Sequence, residues 1–347
     1  TGSSNTAVGY EAGKAMTTGA RNIAIGNVAL DNVDTENDNL AIGYAALGGS
    51  IAGGEYNVAI GNYSLDANTS GDYNVGLGYN ALTGNTTGDH NTAVGNNSMY
   101  DNTTGNQNIA IGYDALKNNE TGNNNTTSGF QSLYTNTTGS SNTAHGYKAL
   151  ERSTTASNNT AHGSNSLQLN TTGSNNTSLG YSAGDVITTG SQNVIIGSGS
   201  DPSSNSASNQ TVIGYLATGQ ADNSVVLGNA SVTAVYMAQD KGATAYGATF
   251  DASTAVKTPL IEYTDGDDAI TIADGGGVTA NAGLAVKNGA TSAGGVSFYE
   301  DSDNGTNYMK LQAGAMGSDV TLTLPTADGS SGQFLSTDGS GTLSCLL

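Results

Sequence analysis

Asn91-Thr-Ala-Val-Gly-Asn-Asn-Ser-Met-Tyr-Asp-Asn-Thr-Thr-Gly-Asn-Gln107 is followed at once by Asn108-Ile-Ala-Ile-Gly-Tyr-Asp-Ala-Leu116, the opening of the same unit again. The glycine of the Asn-x-Ala-Ile-Gly motif gives the rule. It stands at Gly9, Gly26, Gly43, Gly61, Gly78, Gly95, Gly112, Gly129, Gly146, Gly163, Gly180, Gly197 and Gly214. Every step is 17 residues except one of 18, between Gly43 and Gly61, where the extra residue falls within 48–56. A closing copy, Asn223-Ser-Val-Val-Leu-Gly228, follows after 14. Such a register over about 200 residues takes precedence over any propensity argument.

With the asparagine as slot 1, slots 1–5 alternate at period two, with apolar residues at slots 2 and 4, and read as a short strand. The Ala/Ser-Leu pair, as in Ala81-Leu82 or Ser132-Leu133, reads as a second short strand. The Asn-Thr-Thr-Gly block, as at 102–105, is turn chemistry: Gly and Asn supply positive φ, and Thr hydroxyls bond the local backbone. A unit with a turn every eight or so residues leaves no room for a helix. One such unit cannot bury a face alone, but stacked units can.

The expected fold is therefore all-β, a parallel β-solenoid of 17-residue repeats over 1–237, then a neck at 238–258 and a β-rich module at 259–347. Stacking turns slots into columns about 4.8 Å apart. Asn5, Asn22, Asn39, Asn57, Asn74, Asn91, Asn108, Asn125, Asn142, Asn159, Asn176 and Asn193 form an expected asparagine ladder. Leu30, Leu47, Leu65, Leu82, Met99, Leu116, Leu133, Leu150 and Leu167 form an apolar one. The small third slot (Ala7, Ala24, Ala41, Ala59, Gly76) leaves room for another sheet face.

Composition narrows the function classes. Formal net charge is −20, from 29 acidic and 9 basic residues, so nothing supplies the basic footprint of nucleic-acid binding. The single cysteine, Cys345, excludes an intrachain disulfide framework. No apolar run reaches the roughly 18 residues of a transmembrane helix, so membrane insertion by one is not expected. The first residues enter mid-repeat and do not read as a signal peptide, which suggests a fragment or processed product. No P-loop, Ser/His/Asp set or Cys/His cluster is present, and an enzyme is not expected.

The repeat resembles the left-handed parallel β-roll of trimeric autotransporter adhesin heads, most closely in Asn223-Ser-Val-Val-Leu-Gly228 with its 14-residue step. The 17-residue Asn-Thr-Ala-Ile-Gly-Tyr-x-Ala-Leu variant is similar to repeats of tailed-phage fibres. The resemblance covers residues 1–236 and implies handedness and a homotrimer of parallel rolls about a threefold axis. Residues 324–344, Leu-Pro-Thr-Ala-Asp-Gly through Gly-Thr-Leu-Ser, resemble a segment recurring in phage tail fibres and similar bacterial fibre proteins. Relatives of that kind carry a tryptophan and further modules where this chain has Cys345-Leu-Leu347, which suggests a missing tip.

The resemblance implies a virion tail fibre that supports host-cell attachment. Its partners would be the baseplate or other fibre proteins, and a host glycan or protein receptor. The alternative is a bacterial trimeric surface adhesin or extracellular filament. A depolymerase would need clustered carboxylates in a groove, and the repeat supplies scattered ones.

Beyond the solenoid, short alternating strands are expected at 260–263, 269–272, 294–299, 308–311 and 320–324.

Four features carry candidate chemistry. His145 and His162 share slot 4, where other copies carry Ile or Val, with Ser128 one layer earlier. If that slot faces a threefold axis, six imidazoles converge and octahedral metal ligation follows. The competing reading is hydrogen-bonded or outward-facing histidines. No other cofactor is called for, apart from a metal or anion on such an axis. Tyr44, Tyr79 and Tyr113 belong to an aromatic slot after the motif glycine and could stack on sugar rings. Otherwise they cover the turn beneath or pack between rolls. The Asn-Thr-Thr sequons at Asn85, Asn102, Asn136 and Asn170 are explained by turn chemistry without a glycan, and the adjacent threonines lack the Thr-x-Thr spacing of an ice-binding face. Asp301 to Gly305 resembles part of a calcium loop but lacks its distal Glu, since Gln312 stands there.

Overall fold

A computed structural model describes residues 2–32, 35–49, 54–233 and 235, together with four strands farther along. Each repeat contributes one three-residue strand. In chain order these are β1 (Thr6–Val8), β2 (Ile23–Ile25), β3 (Leu40–Ile42), β4 (Val58–Ile60), β5 (Val75–Leu77), β6 (Thr92–Val94) and β7 (Ile109–Ile111). They continue as β8 (Thr126–Ser128), β9 (Thr143–His145), β10 (Thr160–His162), β11 (Thr177–Leu179), β12 (Val194–Ile196), β13 (Thr211–Ile213) and β14 (Val225–Leu227). The fourteen form one sheet in sequence order. Neighbours pair in parallel, one repeat apart, so that Ala93 stands opposite Ala110. The closing step of 14 is kept, with Thr211 opposite Val225. No helix occurs among the described residues. The fold is an all-β parallel solenoid, and at about 4.8 Å per layer its stack runs roughly 60 Å.

The second strand expected at Ala/Ser-Leu does not form. Each Leu of that column, and Met99, sits in the left-handed region, at φ between 48° and 55°. The residue two before it does the same, as at Asn80 and Asn97. The stretch is a tight turn that still bonds to the next layer, Leu82 N–H to the Ser98 carbonyl at 3.0 Å. Left-handed backbone costs a non-glycine residue roughly 1–2 kcal/mol. Burying a leucine returns about 1.5–3 kcal/mol, and all nine side chains of the column are fully buried.

The strand's faces also resolve. The small third slot points inward: Ala24, Ala41, Ala59, Ala93, Ala110, Ala144 and Ala161 are buried against the Leu column. With no second sheet among the described residues of the solenoid, what approaches the alanines closely is the leucine turn. Slots 2 and 4 point outward. A 17-residue perimeter encloses a thin interior, and Ala plus Leu fill it. Where the Leu slot holds glycine, the interior is refilled from slot 12. Gly13 faces Met16, and Gly184 has Ile187 and Ile195 beside it.

The motif glycines run at φ 133–147° from Gly9 to Gly214. A Cβ on Gly95 would run into the Gly112 carbonyl of the next layer. Glycine is required there both by conformation and by the closeness of stacking.

The chain divides into two compact units, Thr1–Ala245 and Tyr246–Leu347. In the second, β15 (Gly295–Tyr299) pairs antiparallel with β16 (Tyr308–Gln312) where strands were expected. β17 (Phe334–Thr337) pairs antiparallel with β18 (Leu343–Leu346), inside the fibre-like segment. The expected neck at 238–258, the strands at 260–263, 269–272 and 320–324, and the Asp301–Gly305 loop lie outside the described residues.

Candidate functional site

The asparagine ladder forms, but not by chaining side-chain amides alone. From Asn22 to Asn193, each backbone N–H donates to the Oδ1 of the asparagine one layer back, at 2.8–3.0 Å. Each Nδ2 then donates to the carbonyl of slot 15 in its own repeat, as from Asn108 to Gly122 at 2.8 Å. One side chain thus extends the ladder at a strand's entry and ties the two ends of its layer together. Gln210 continues the first contact, its N–H on Asn193 Oδ1 at 3.0 Å. Asn223 lies outside the ladder; it has φ 58°, and Ser224 precedes β14 in its stead.

The same contact locates the insertion. Asn22 reaches Glu36 across 14 residues, whereas Asn39 reaches Gly54 across 15. The extra residue therefore lies between Leu47 and Gly54, since Leu47 keeps its slot.

A second asparagine column runs through slot 12. Nδ2 of Asn85, Asn102, Asn119 and Asn136 donates to Oδ1 of Asn68, Asn85, Asn102 and Asn119 at 2.7–2.9 Å. Asn85, Asn102, Asn136 and Asn170 are fully buried. A buried amide that is donating hydrogen bonds cannot carry a glycan, so the turn-chemistry reading of the sequons is the one that fits. Thr86 and Thr103 donate their hydroxyls to the Thr103 and Glu120 carbonyls of the next layer, at 2.9 and 2.8 Å.

The outward face of the sheet is the other regular surface. Slots 2 and 4 present a stripe of Ile, Val, Leu and Thr along the fourteen strands, with Ser128, His145 and His162 in slot 4 of β8, β9 and β10. Ile23, Ile25, Leu77, Ile109, Ile111, Leu179, Ile213 and Leu227 are each more than a third exposed. Period-two alternation marks two faces without saying which is inside, so the sequence did not mark this surface.

His145 and His162 lie on that face, in register on β9 and β10. Their rings stack with centroids 5.6 Å apart and 27° between planes. Both point away from the interior, His145 half-buried and His162 exposed. Among the described residues no group of three or more His, Cys, Asp or Glu is placed to hold a metal. One chain offers two ligands.

The tyrosines flank the stripe, exposed. Tyr44 and Tyr79 stand edge-on to Tyr63, with centroids at 5.2 and 6.1 Å. Tyr113 is the first ring of a parallel stack with Phe130 and Tyr147, 5.4 Å apart at each step. One face of Tyr113 is thereby taken up by Phe130. A further stack joins Tyr56, Tyr73 and His90. Lys117 lies between Tyr100 and Tyr134, its Nζ 6.0 and 5.5 Å from the ring centroids.

Among carboxyls, Asp201 stands apart. It occupies the Leu slot of its layer, and its Oδ1 has no hydrogen-bond partner. Burial pushes its pKa up to about 6, with the like charge of Asp185 adding and the Val186 backbone N–H partly offsetting.

The described residues define a parallel β-solenoid. The chain matches no protein-family model, no curated protein and no solved structure.

Proposed function

We propose that this chain is the shaft of a fibre, a structural protein and not an enzyme, in which three copies pack by their outward sheet faces. The observation that carries the reading is that face. Fourteen strands at about 4.8 Å, with a strip about 10 Å wide, amount to roughly 650 Å² of outward sheet surface, apolar for most of its length and broken at β8–β10, whose outward slots hold Thr, Ser and His. Lone soluble chains rarely leave a contiguous patch of more than a few hundred Å² uncovered. Stable interfaces bury about 800 Å² per partner. Outside the stripe the exposed apolar groups are mainly the aromatic rings beside it, and the net charge of −20 disfavours unspecific association.

The fibre is that of a tailed-phage virion or a similar appendage, joined to a baseplate or other fibre proteins. A rod with layer-by-layer hydrogen bonding holds binding elements at a distance, and threefold copies raise avidity for a host surface glycan or protein. Tyr44, Tyr79 and the free end of the Tyr113 stack are the places on the shaft where a sugar ring could lie.

Sedimentation equilibrium and negative-stain microscopy of the purified chain test the reading. The expected result is three times the chain mass and a straight rod carrying a segment of about 60 Å. A stable monomer at micromolar concentration would sink it. Labelled rods should bind host cells saturably.

A further inference from the structure

Slot 4 of the outward face is apolar on both sides of a single polar window. In slot 4, Ile111 gives way to Ser128, His145 and His162 before Leu179 resumes. Within that window the two imidazoles stack on adjacent rungs.

We propose that His145 and His162 are one third of a transition-metal site, completed by the same two residues of two further copies. The proposal rests on the self-association put forward above and deepens it. The partner is a second and third copy because the stripe needs a cover of its own length. A copy in register also brings an identical window to the same height.

Three arguments support the metal. Covering this face takes imidazoles out of water, and an unpaired buried polar group is costly. Neighbouring positions on the face are the hydroxyls of Ser128, Thr143 and Thr160, and within one chain neither imidazole is hydrogen-bonded to them. A single divalent ion accepts lone pairs from several imidazoles at once, and six nitrogens in two layers suit octahedral ions such as Ni²⁺ or Co²⁺. The window also sets register. A uniformly apolar stripe would let copies slip by whole layers at small cost, whereas slipping here by two or more layers sets His against Ile, Leu or Ser. One polar position within an apolar seam selects alignment in the same way in coiled coils.

The test uses untagged full chain freed of metal with EDTA. Sedimentation gives the assembly state, and calorimetric titration with NiCl₂ gives stoichiometry. The expected result is one Ni²⁺ per three chains. The His145→Ile, His162→Ile double variant makes slot 4 apolar at both layers and removes all six ligands, so it should stay assembled and take up no stoichiometric Ni²⁺. An assembled wild-type rod that takes up no Ni²⁺, or binds it equally well in the double variant, overturns the site and leaves the association reading standing. A chain that sediments as a monomer overturns both.

Discussion

Asp201 shows what one residue out of pattern does to a column. Its slot holds Leu or Met in nine layers, and there the carboxyl meets burial and the charge of Asp185, which together raise its pKa to about 6. In an unfolded chain the value is about 3.9. Between those values the native state holds a proton that the unfolded state has released. Stability linked to Asp201 is therefore greatest below about pH 4 and is lost as pH rises through 6. Half-exposure screens the effect, to on the order of 1 kcal/mol. Asp201→Asn should remove that part of the pH dependence, with the variant gaining on the wild type as pH rises from about 4 through 6, by about 1 kcal/mol. Urea unfolding at several pH values reads this directly, and parallel pH profiles for the two proteins would refute it. The position is visible in the sequence as an aspartate in a leucine slot. Its consequence depends on the backbone returning that slot to the interior.

At the scale of an element, the turn of slots 12–15 behaves as one unit with a rule of its own. Asn in slot 12 goes with Gly in slot 15, as in Asn136 with Gly139 and Asn170 with Gly173. A Cβ on either glycine would meet that asparagine's Oδ1. Ser153 goes with Ala156 for the same reason, because the methyl occupies the amide's space. The substitution interrupts the column and leaves Asn136 Oδ1 and Ser153 Oγ with no hydrogen-bond partner; Asn170 Oδ1 lacks one at its other side, where Ile187 holds the slot of the next layer. Ser153→Asn alone should therefore destabilise, by roughly 1–3 kcal/mol of overpacking. Ala156→Gly alone should cost about 1 kcal/mol. Together they extend the amide ladder from Asn136 to Asn170, so the double-mutant cycle should show a favourable coupling of about 1–3 kcal/mol. Additive effects would show that the two slots do not share space. Much of this element is legible in the amino-acid sequence itself. Averaging over repeats picks out the columns, the turn at slots 12–15 and the 14-residue close. Two things are not legible there. Ala-Leu looks like a strand because both residues are apolar, yet leucine at positive φ has no sequence signature. The sign of the strand's faces is hidden as well, because alternation is symmetric and the thin interior selects the smaller side chain. That same choice puts His145 and His162 on the outside: their shared slot is readable, but not the direction in which it points.

The whole solenoid is quasi-one-dimensional. Apart from short hydrogen bonds inside its own turn, each layer bonds to the one before and the one after: Gly95 N–H to Leu77, and Met99 N–H to Ala115. Stability is then close to a sum of layer and nearest-neighbour terms, and the rod's length becomes a free parameter of the sequence. Removing residues 91–107 whole joins His90, in slot 17, to Asn108, in slot 1. Asn108 N–H then finds Asn74 Oδ1, as Asn91 does now, and Ile109 pairs with Val75 in place of Thr92. Every column survives with one member fewer. The deletion should leave the circular dichroism spectrum unchanged in shape and lower the melting temperature by no more than a few degrees. It should shorten the rod by about 4.8 Å per layer removed. Removing 91–99 instead leaves half a layer, which moves the Leu column out of line with itself and strips the buried amides of their partners. That chain should unfold or aggregate. Both deletions take out Met99 and Thr92, and the larger removes residues 100–107 as well yet keeps the period, so a more stable product from the larger loss assigns the difference to register. If the two proved equally stable, the columns would not be what holds the layers together. The fibre reading would then lose its physical basis, because a rod that cannot keep register cannot present a straight face to its copies.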